Sequence, residues 1–137
     1  MTDSTRQATE VATRRQNEDT LRRFFTNDFA GAQRRSLWSE DALFEMPFEY
    51  GGPVRIRGLE AIMAESEEWA GKLHDWRFHD LAIYPTVDPT VFWVTVKATS
   101  RDRDEKEWLT DFVNFFRVVD GRVVHRSEYF DPGAHPR

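Results

Sequence analysis

The chain has 137 residues, of which 39% are hydrophobic and 31% charged, a composition typical of one globular domain with its own core. It contains no cysteine, which excludes a disulfide framework, a thiol nucleophile and a cysteine-ligated zinc or iron–sulfur site. The net charge is −5 and the basic residues form no run, so the chain lacks the basic surface that a nucleic-acid partner requires.

The first part of the chain predicts two helices and the start of a sheet. Apolar residues at three- and four-residue spacing predict a helix over residues 11–29, which Gly31 ends. A short second helix is predicted over residues 32–38. Residues 43–48 and 54–57 then have strand character and are separated by a turn signal rich in glycine and proline.

A third helix is predicted after Gly58. Apolar residues recur along it at helical spacing from Leu59 to Leu73. We expect its acidic residues on the solvated outer side of the helix: Glu60, Glu65, Glu67 and Glu68. The acidic residues in this part of the chain are therefore interpreted mostly as a solvent-exposed helix face.

Four longer strands are predicted in the second half of the chain, over residues 75–84, 91–100, 107–119 and 122–130. Asp120 and Gly121, between the last two strands, are a two-residue hairpin signal because both tolerate a positive φ. The order of the elements indicates an α+β fold in which one strongly curved antiparallel sheet wraps around the N-terminal helices.

We expect a single domain over residues 11–132, a flexible N-terminus over residues 1–10 and a C-terminal tail over residues 133–137. No stretch approaches 18 apolar residues, and the first residues contain no apolar signal segment, so no contact with a membrane is expected. A soluble cytoplasmic protein is therefore the expectation.

A sheet that curls around helices leaves an apolar concave space where the helices do not fill it, and such a space suits a small molecule. Four polar residues on the predicted strands are candidates for a role there: His79, Asp111, Asn114 and Glu128. Burying them costs free energy unless they are paired or used. Strand alternation puts Asp111 and Asn114 on opposite faces of their strand.

Alternation puts Glu128 on the same face as Arg126 and Phe130, which leaves two interpretations open. The two charged residues can form an ion pair on the solvent face. Alternatively, Glu128 is buried among aromatic rings such as Phe130 and Trp93. A carboxyl group in such surroundings is protonated more readily than one in water, which suits general acid–base catalysis.

Four segments carry a resemblance to a known superfamily: residues 34–41 (RRSLWSED), 75–78 (DWRF), 88–94 (DPTVFWV) and 128–132 (EYFDP). With the order of the elements, they resemble the nuclear transport factor 2-like or ketosteroid isomerase-like superfamily, also called SnoaL-like, and within it the phenazine biosynthesis A/B proteins. The resemblance spans residues 15–132. It implies a conical barrel, a homodimer formed through the sheet, and a ligand held in the cone without a metal or an organic cofactor.

The resemblance also implies roles for individual residues. The family's glutamate on the last strand, a proton donor and acceptor, matches Glu128, and its arginine that holds a substrate carboxylate matches Arg34. A helix histidine and a nearby serine of some members fall at Glu65 and Trp69, where this chain departs from the pattern. Further candidates for orienting or binding a ligand are His79, Asp111, Asn114, Tyr129 and Trp93.

The leading hypothesis is a cofactor-independent enzyme of the isomerase, cyclase, dehydratase or condensation type. It would use carboxylate acid–base chemistry in an aromatic-lined pocket, on a cyclic metabolite whose carboxylate, where it has one, is held by Arg34. The alternative is a noncatalytic module of the same fold that binds a small molecule or serves dimerisation. Burial of Glu128 in a closed aromatic cavity favours the enzyme, and exposure of Glu128 favours the alternative.

Overall fold

The computed structural model describes residues 2–26, 32–134 and 136. Within these ranges the chain forms three α-helices and one six-stranded sheet with strand order β2-β1-β6-β5-β4-β3. The helices are α1 (Asp3–Phe24), α2 (Ala32–Leu37) and α3 (Leu59–Lys72). The strands are β1 (Trp38–Met46), β2 (Val54–Arg57), β3 (His74–Pro85), β4 (Val91–Arg101), β5 (Glu107–Val119) and β6 (Arg122–Tyr129).

The expected α+β fold is confirmed, and so is the hairpin turn between β5 and β6, where Asp120 and Gly121 both have a positive φ, of 51° and 75°. One strand pairing differs from the expectation. β1 pairs with β6 in parallel, whereas the neighbouring strands elsewhere in the sheet are antiparallel. The sheet is therefore mixed, with the parallel pair one strand in from its β2 edge.

The predicted helix and strand bounds differ from the structure near the N-terminus. α1 begins at Asp3, where the side chain of Thr2 caps it by accepting a hydrogen bond from the Thr5 amide, and it ends at Phe24 instead of residue 29. The predicted stop at Gly31 lies outside the residues that the structure describes. The sheet begins at Trp38, which the sequence assigned to the second helix.

α1 is fixed to two turns of the sheet by polar side chains on its buried face. The Asn17 side-chain amide donates to the Pro89 carbonyl, with 3.1 Å between nitrogen and oxygen, and its oxygen accepts from the Gly121 amide at 3.2 Å. The Thr20 hydroxyl donates to the Gly121 carbonyl at 2.9 Å. Both side chains are fully buried, so these bonds join the helix to two separate hairpins without competition from water.

A bulge in β3 changes which of its residues face inward. Asp80 has a φ of 54°, and the register with β4 shifts between His79 and Ala82. Strict alternation would put Leu81 and Ile83 on the face of His79, yet both pack against the core. The bulge therefore lets Trp76 and Phe78 face inward before it and Leu81 and Ile83 after it.

The core lies between the helices and the concave face of the sheet, and its largest fully buried rings are Phe24, Phe92 and Phe116. No helix within the described ranges has the length and apolar character needed to cross a membrane. At one end of the concave face the helices leave a cavity, which is described below.

We predict that Asn17→Ala lowers the free energy of unfolding by about 2 kcal/mol, because it leaves the buried Gly121 amide and Pro89 carbonyl without their partner. Urea denaturation measures the change. Gln16→Ala, at the exposed neighbouring position, is the matched control and should cost far less. Equal losses in the two variants would contradict the role given to Asn17.

Candidate functional site

The cavity lies between α2, α3 and the inner face of β1, β3, β5 and β6. It opens to solvent, and about 720 Å³ of space is free of protein atoms when the solvent at its mouth is counted. Seven of the fifteen described residues that line it are aromatic, and they come from the strands, from α3 and from the residue after β6. The polar residues that line it are Arg34, Glu65, Ser66, Thr110, Arg126 and Glu128.

Arg126 and Glu128 form a buried ion pair inside this cavity. They are two residues apart on β6 and so share its inner face, with 3.4 Å between guanidinium nitrogen and carboxylate oxygen. Only 8% of the Arg126 side chain and 12% of the Glu128 side chain are exposed. The ion pair that was one of the two interpretations of the sequence therefore exists. It lies in the interior of the protein and not on the solvent face.

Asn114 holds Arg126 from the neighbouring strand. It pairs with Glu128 across the β5–β6 ladder and is fully buried. Its side-chain oxygen accepts a hydrogen bond from Arg126 Nε at 3.0 Å, and its amide nitrogen lies 3.4 Å from the Val94 carbonyl, to which it donates. Asn114 therefore orients Arg126. In the sequence analysis, Asn114 was a candidate for binding the ligand itself.

Arg34 brings a second guanidinium to the same end of the cavity. Helical periodicity turns Arg34 inward on α2, while its neighbour Arg35 points outward and pairs with Glu60. The Arg34 guanidinium carbon lies 4.0 Å from the centre of the Phe24 ring, and that of Arg126 lies 5.2 Å from the same ring. Cation–π contacts with a shared ring thus stabilise both buried cations.

The electrostatics of this end of the cavity favour a bound anion. Burial lowers the pKa of Arg34 well below its ordinary value, and the charge of Arg126 lowers it further while Glu128 opposes the shift. Burial likewise lowers the pKa of Arg126, again opposed by Glu128. Both shifts are those of a poorly solvated cation, so a carboxylate placed near either guanidinium would stabilise it.

The structure brings Arg34 and Glu128 together, but four other candidates lie on the opposite, outer face of the sheet. Trp93 is 42% exposed there and its ring contacts Tyr129. His79 Nε2 forms a hydrogen bond with the Thr99 hydroxyl, and Asp111 Oδ1 lies 3.7 Å from Lys97 Nζ. Strand alternation separates Asp111 and Trp93 from the cavity, and the bulge at Asp80 leaves His79 outside while the residues after it turn inward.

Two charged side chains that line the cavity were not among the site candidates taken from the sequence. Glu65 was expected on the solvated side of α3, yet it lines the cavity and accepts a hydrogen bond from Trp69 Nε1 at 3.1 Å. Arg126 was considered only as a partner on the solvent face. The sequence does contain a signal that each residue faces the cavity. Glu65 stands where the histidine of some family members falls, and Arg126 shares a strand face with Phe130.

A curved sheet that is covered by helices and leaves a cavity at one end of its concave face defines the conical class of α+β folds. The SnoaL-like domain family matches residues 6–126, and the chain therefore belongs to that family. Its curated relatives include the phenazine biosynthesis protein PhzA1 of Pseudomonas aeruginosa, which is 29% identical over 125 residues. Those residues cover 87% of this chain and 77% of that protein.

Solved structures confirm the fold. A phenazine biosynthesis-related protein from Pseudomonas aeruginosa superposes with a TM-score of 0.80 at 22% identity, over 93% of this chain and 86% of that one. A Bacillus subtilis protein provisionally named an isomerase superposes with a TM-score of 0.77 at 22% identity, over 89% of this chain and 91% of that one. The resemblance seen in the sequence motifs is thus confirmed for family and fold.

We predict that Arg126→Met destabilises the protein by about 3–5 kcal/mol, because it leaves the carboxylate of Glu128 buried without its cation. Adding Glu128→Gln removes that charge, so the double variant should lose less stability than the sum of the two single variants. Urea denaturation of the four proteins measures the coupling. Purely additive losses would contradict a direct interaction between the two side chains.

Proposed function

We propose that this protein is a cofactor-independent enzyme that moves a proton on a small cyclic metabolite bearing a carboxylate, with Glu128 as the general acid or base. One observation carries the proposal: the Glu128 side chain, only 12% exposed, lies in an aromatic-lined cavity beside guanidinium groups that can hold an anion. Reactions of this kind include isomerisation, cyclisation, dehydration and condensation.

In the proposed reaction, the ligand's carboxylate is held by Arg34 and Arg126, and its ring lies among the aromatic side chains. Arg126 lies 3.4 Å from the Glu128 carboxylate and holds it at the wall of the cavity, where the ring of the ligand would lie. Glu128 removes a proton from a carbon beside a carbonyl group, and the electron pair passes to the carbonyl oxygen as an enolate. The proton then returns to the same or another carbon of the ring.

The names of the relatives support acid–base chemistry of this general type. PhzA1 is named for phenazine biosynthesis, and the Bacillus subtilis structure is provisionally named an isomerase. Glu65 and Trp69 stand where the histidine and serine of some phenazine A/B members fall. We therefore propose the general reaction class for this chain and not the phenazine step itself.

Hydrogen–deuterium exchange tests the proposal without knowledge of the natural substrate. We predict that the protein accelerates exchange of the hydrogens beside the ketone of 4-oxocyclohexanecarboxylate in D₂O, followed by NMR. Glu128→Gln should slow this exchange by about 10²-fold or more while the probe still binds, because the proton acceptor is lost.

The matched control is Asp111→Asn, which removes a carboxylate whose side chain is 72% exposed on the outer face and should leave the rate unchanged. Exchange that persists in Glu128→Gln would remove Glu128 from the mechanism. If the wild-type protein binds the probe and exchanges nothing, the result favours a noncatalytic binding module.

We also propose that two copies of the chain associate through the outer face of the sheet. That face carries large exposed apolar side chains on three adjacent strands: Tyr84, Trp93, Leu109 and Val113. Trp93 pairs with Tyr84 on one side and with Phe115 on the other, so the apolar surface is continuous across strands. A contiguous surface of this kind is typical of a protein–protein contact.

We predict that Trp93→Glu converts a dimer into a monomer, because it buries an unpaired carboxylate in the interface, and sedimentation velocity measures the change. Val87→Glu is the control, since Val87 is 97% exposed in the β3–β4 turn and lies off the sheet face. A wild-type protein that sediments as a monomer at high concentration would contradict the proposed dimer.

A further inference from the structure

A cluster of polar side chains lies on the outer face of the sheet, on the side opposite the cavity. It consists of Glu45 on β1 and of His125 and Ser127 on β6, and we call it the outer cluster. His125 Nε2 lies 2.6 Å from Glu45 Oε1, and the Ser127 hydroxyl lies 3.3 Å from the same oxygen. The side chains of His125 and Glu45 are 30% and 28% exposed, so water reaches the pair from one side.

The outer cluster adjoins the apolar surface through which two copies of the chain are proposed to associate. The Phe115 ring lies between them, with its centre 5.2 Å from that of the His125 ring and 5.6 Å from that of the Trp93 ring. In the sheet order, β6 and β1 follow directly after β5, on which Phe115 lies. A second copy that covers Trp93 and Phe115 would therefore also displace water from the open side of His125.

The charged neighbours of the outer cluster come from the strands on either side. Arg117 pairs with His125 across the β5–β6 ladder, but its guanidinium lies 3.6 Å from the carboxylate of Asp88. Arg55 pairs with Glu45 across the β1–β2 ladder and is exposed on the edge strand. In the part of the chain that the structure describes, neither arginine forms an ion pair with Glu45, whereas His125 does.

The net charge of the His125–Glu45 pair changes with pH, because histidine ordinarily titrates at about pH 6.5. An imidazolium beside the carboxylate makes the pair neutral overall, and a neutral imidazole leaves it with one negative charge. Water solvates that charge while the outer face is open. A second copy that covers the pair would remove this solvation, which costs less for a neutral pair than for an uncompensated carboxylate.

We infer that two copies of the chain take up protons at the His125–Glu45 pair when they associate. This inference rests on the dimer proposed above and adds a pH dependence to its interface. A two-fold symmetric dimer contains the pair twice and can therefore take up two protons. The resulting stabilisation is complete below the pH at which the histidine of the monomer titrates, and it is lost as the pH rises through the titration of the dimer.

Sedimentation equilibrium at constant ionic strength, between about pH 6 and about pH 8, tests the inference. The dissociation constant of the wild-type dimer should rise by about tenfold or more over this range. Glu45→Gln keeps a hydrogen-bond acceptor and removes the carboxylate, so its dimer should dissociate equally at both ends of the range. His125→Gln removes the titrating group and should likewise make the dissociation constant independent of pH.

The matched control is His74→Gln, which removes the histidine of a second histidine–glutamate pair. His74 Nε2 lies 3.0 Å from Glu105 Oε1 in the β4–β5 loop, and both side chains are at least half exposed, so the pH dependence should be that of the wild type. A wild-type dimer whose dissociation constant is the same at every pH would overturn the inference, as would a pH dependence that survives in Glu45→Gln or His125→Gln. In those cases the proposed dimer stands, whereas a wild-type protein that is monomeric at every pH would overturn both.

Discussion

The structure depends on one buried arrangement of charge, the ion pair of Arg126 and Glu128 held in place by Asn114. An isolated charge in the interior would cost several kcal/mol, and removing either partner would leave one. The costs are offset here because the guanidinium has an acceptor in Asn114, an anion in Glu128 and rings around it. The pair therefore constrains both what the core can contain and what chemistry the cavity can perform.

The two faces of the sheet carry different side chains because successive residues of a strand point to opposite faces. On β6, Arg126 and Glu128 face the cavity, whereas Ser127 and Tyr129 face outward. The outer face also holds a polar cluster, in which His125 Nε2 lies 2.6 Å from Glu45 Oε1. The same strands thus present charged side chains to the cavity on one side and a mixture of exposed apolar and polar side chains on the other.

The sequence predicted those parts of the fold that depend on interactions between residues close together in the chain. The bounds of α3, the strands of the meander and the Asp120–Gly121 turn follow from periodicity and turn chemistry, and alternation correctly put Glu128 beside Arg126. The parallel contact between β1 and β6 and the early start of β1 at Trp38 depend on residues about 80 positions apart. No local pattern encodes such contacts, so they were not predictable by these means.

The residues of the candidate site were likewise predictable only in part. Glu128 and Arg34 were found through residue type and family resemblance, but single-strand patterns could not tell the concave face from the convex one, which led to Trp93 and Tyr129 as candidates. His79 depended on the bulge at Asp80, and Glu65 on how α3 is rotated against the sheet. Each of these is a property of packing between elements and not of one element alone.

In the proposed function, the two guanidiniums orient an anionic ring so that it lies against Glu128. A crystal structure of the protein with cyclohexanecarboxylate bound tests this arrangement most directly. We expect the ligand carboxylate within hydrogen-bond distance of Arg34 or Arg126 and the ring in contact with the Glu128 carboxylate. A ligand bound outside the cavity, or with its carboxylate turned toward α3, would contradict the proposed arrangement.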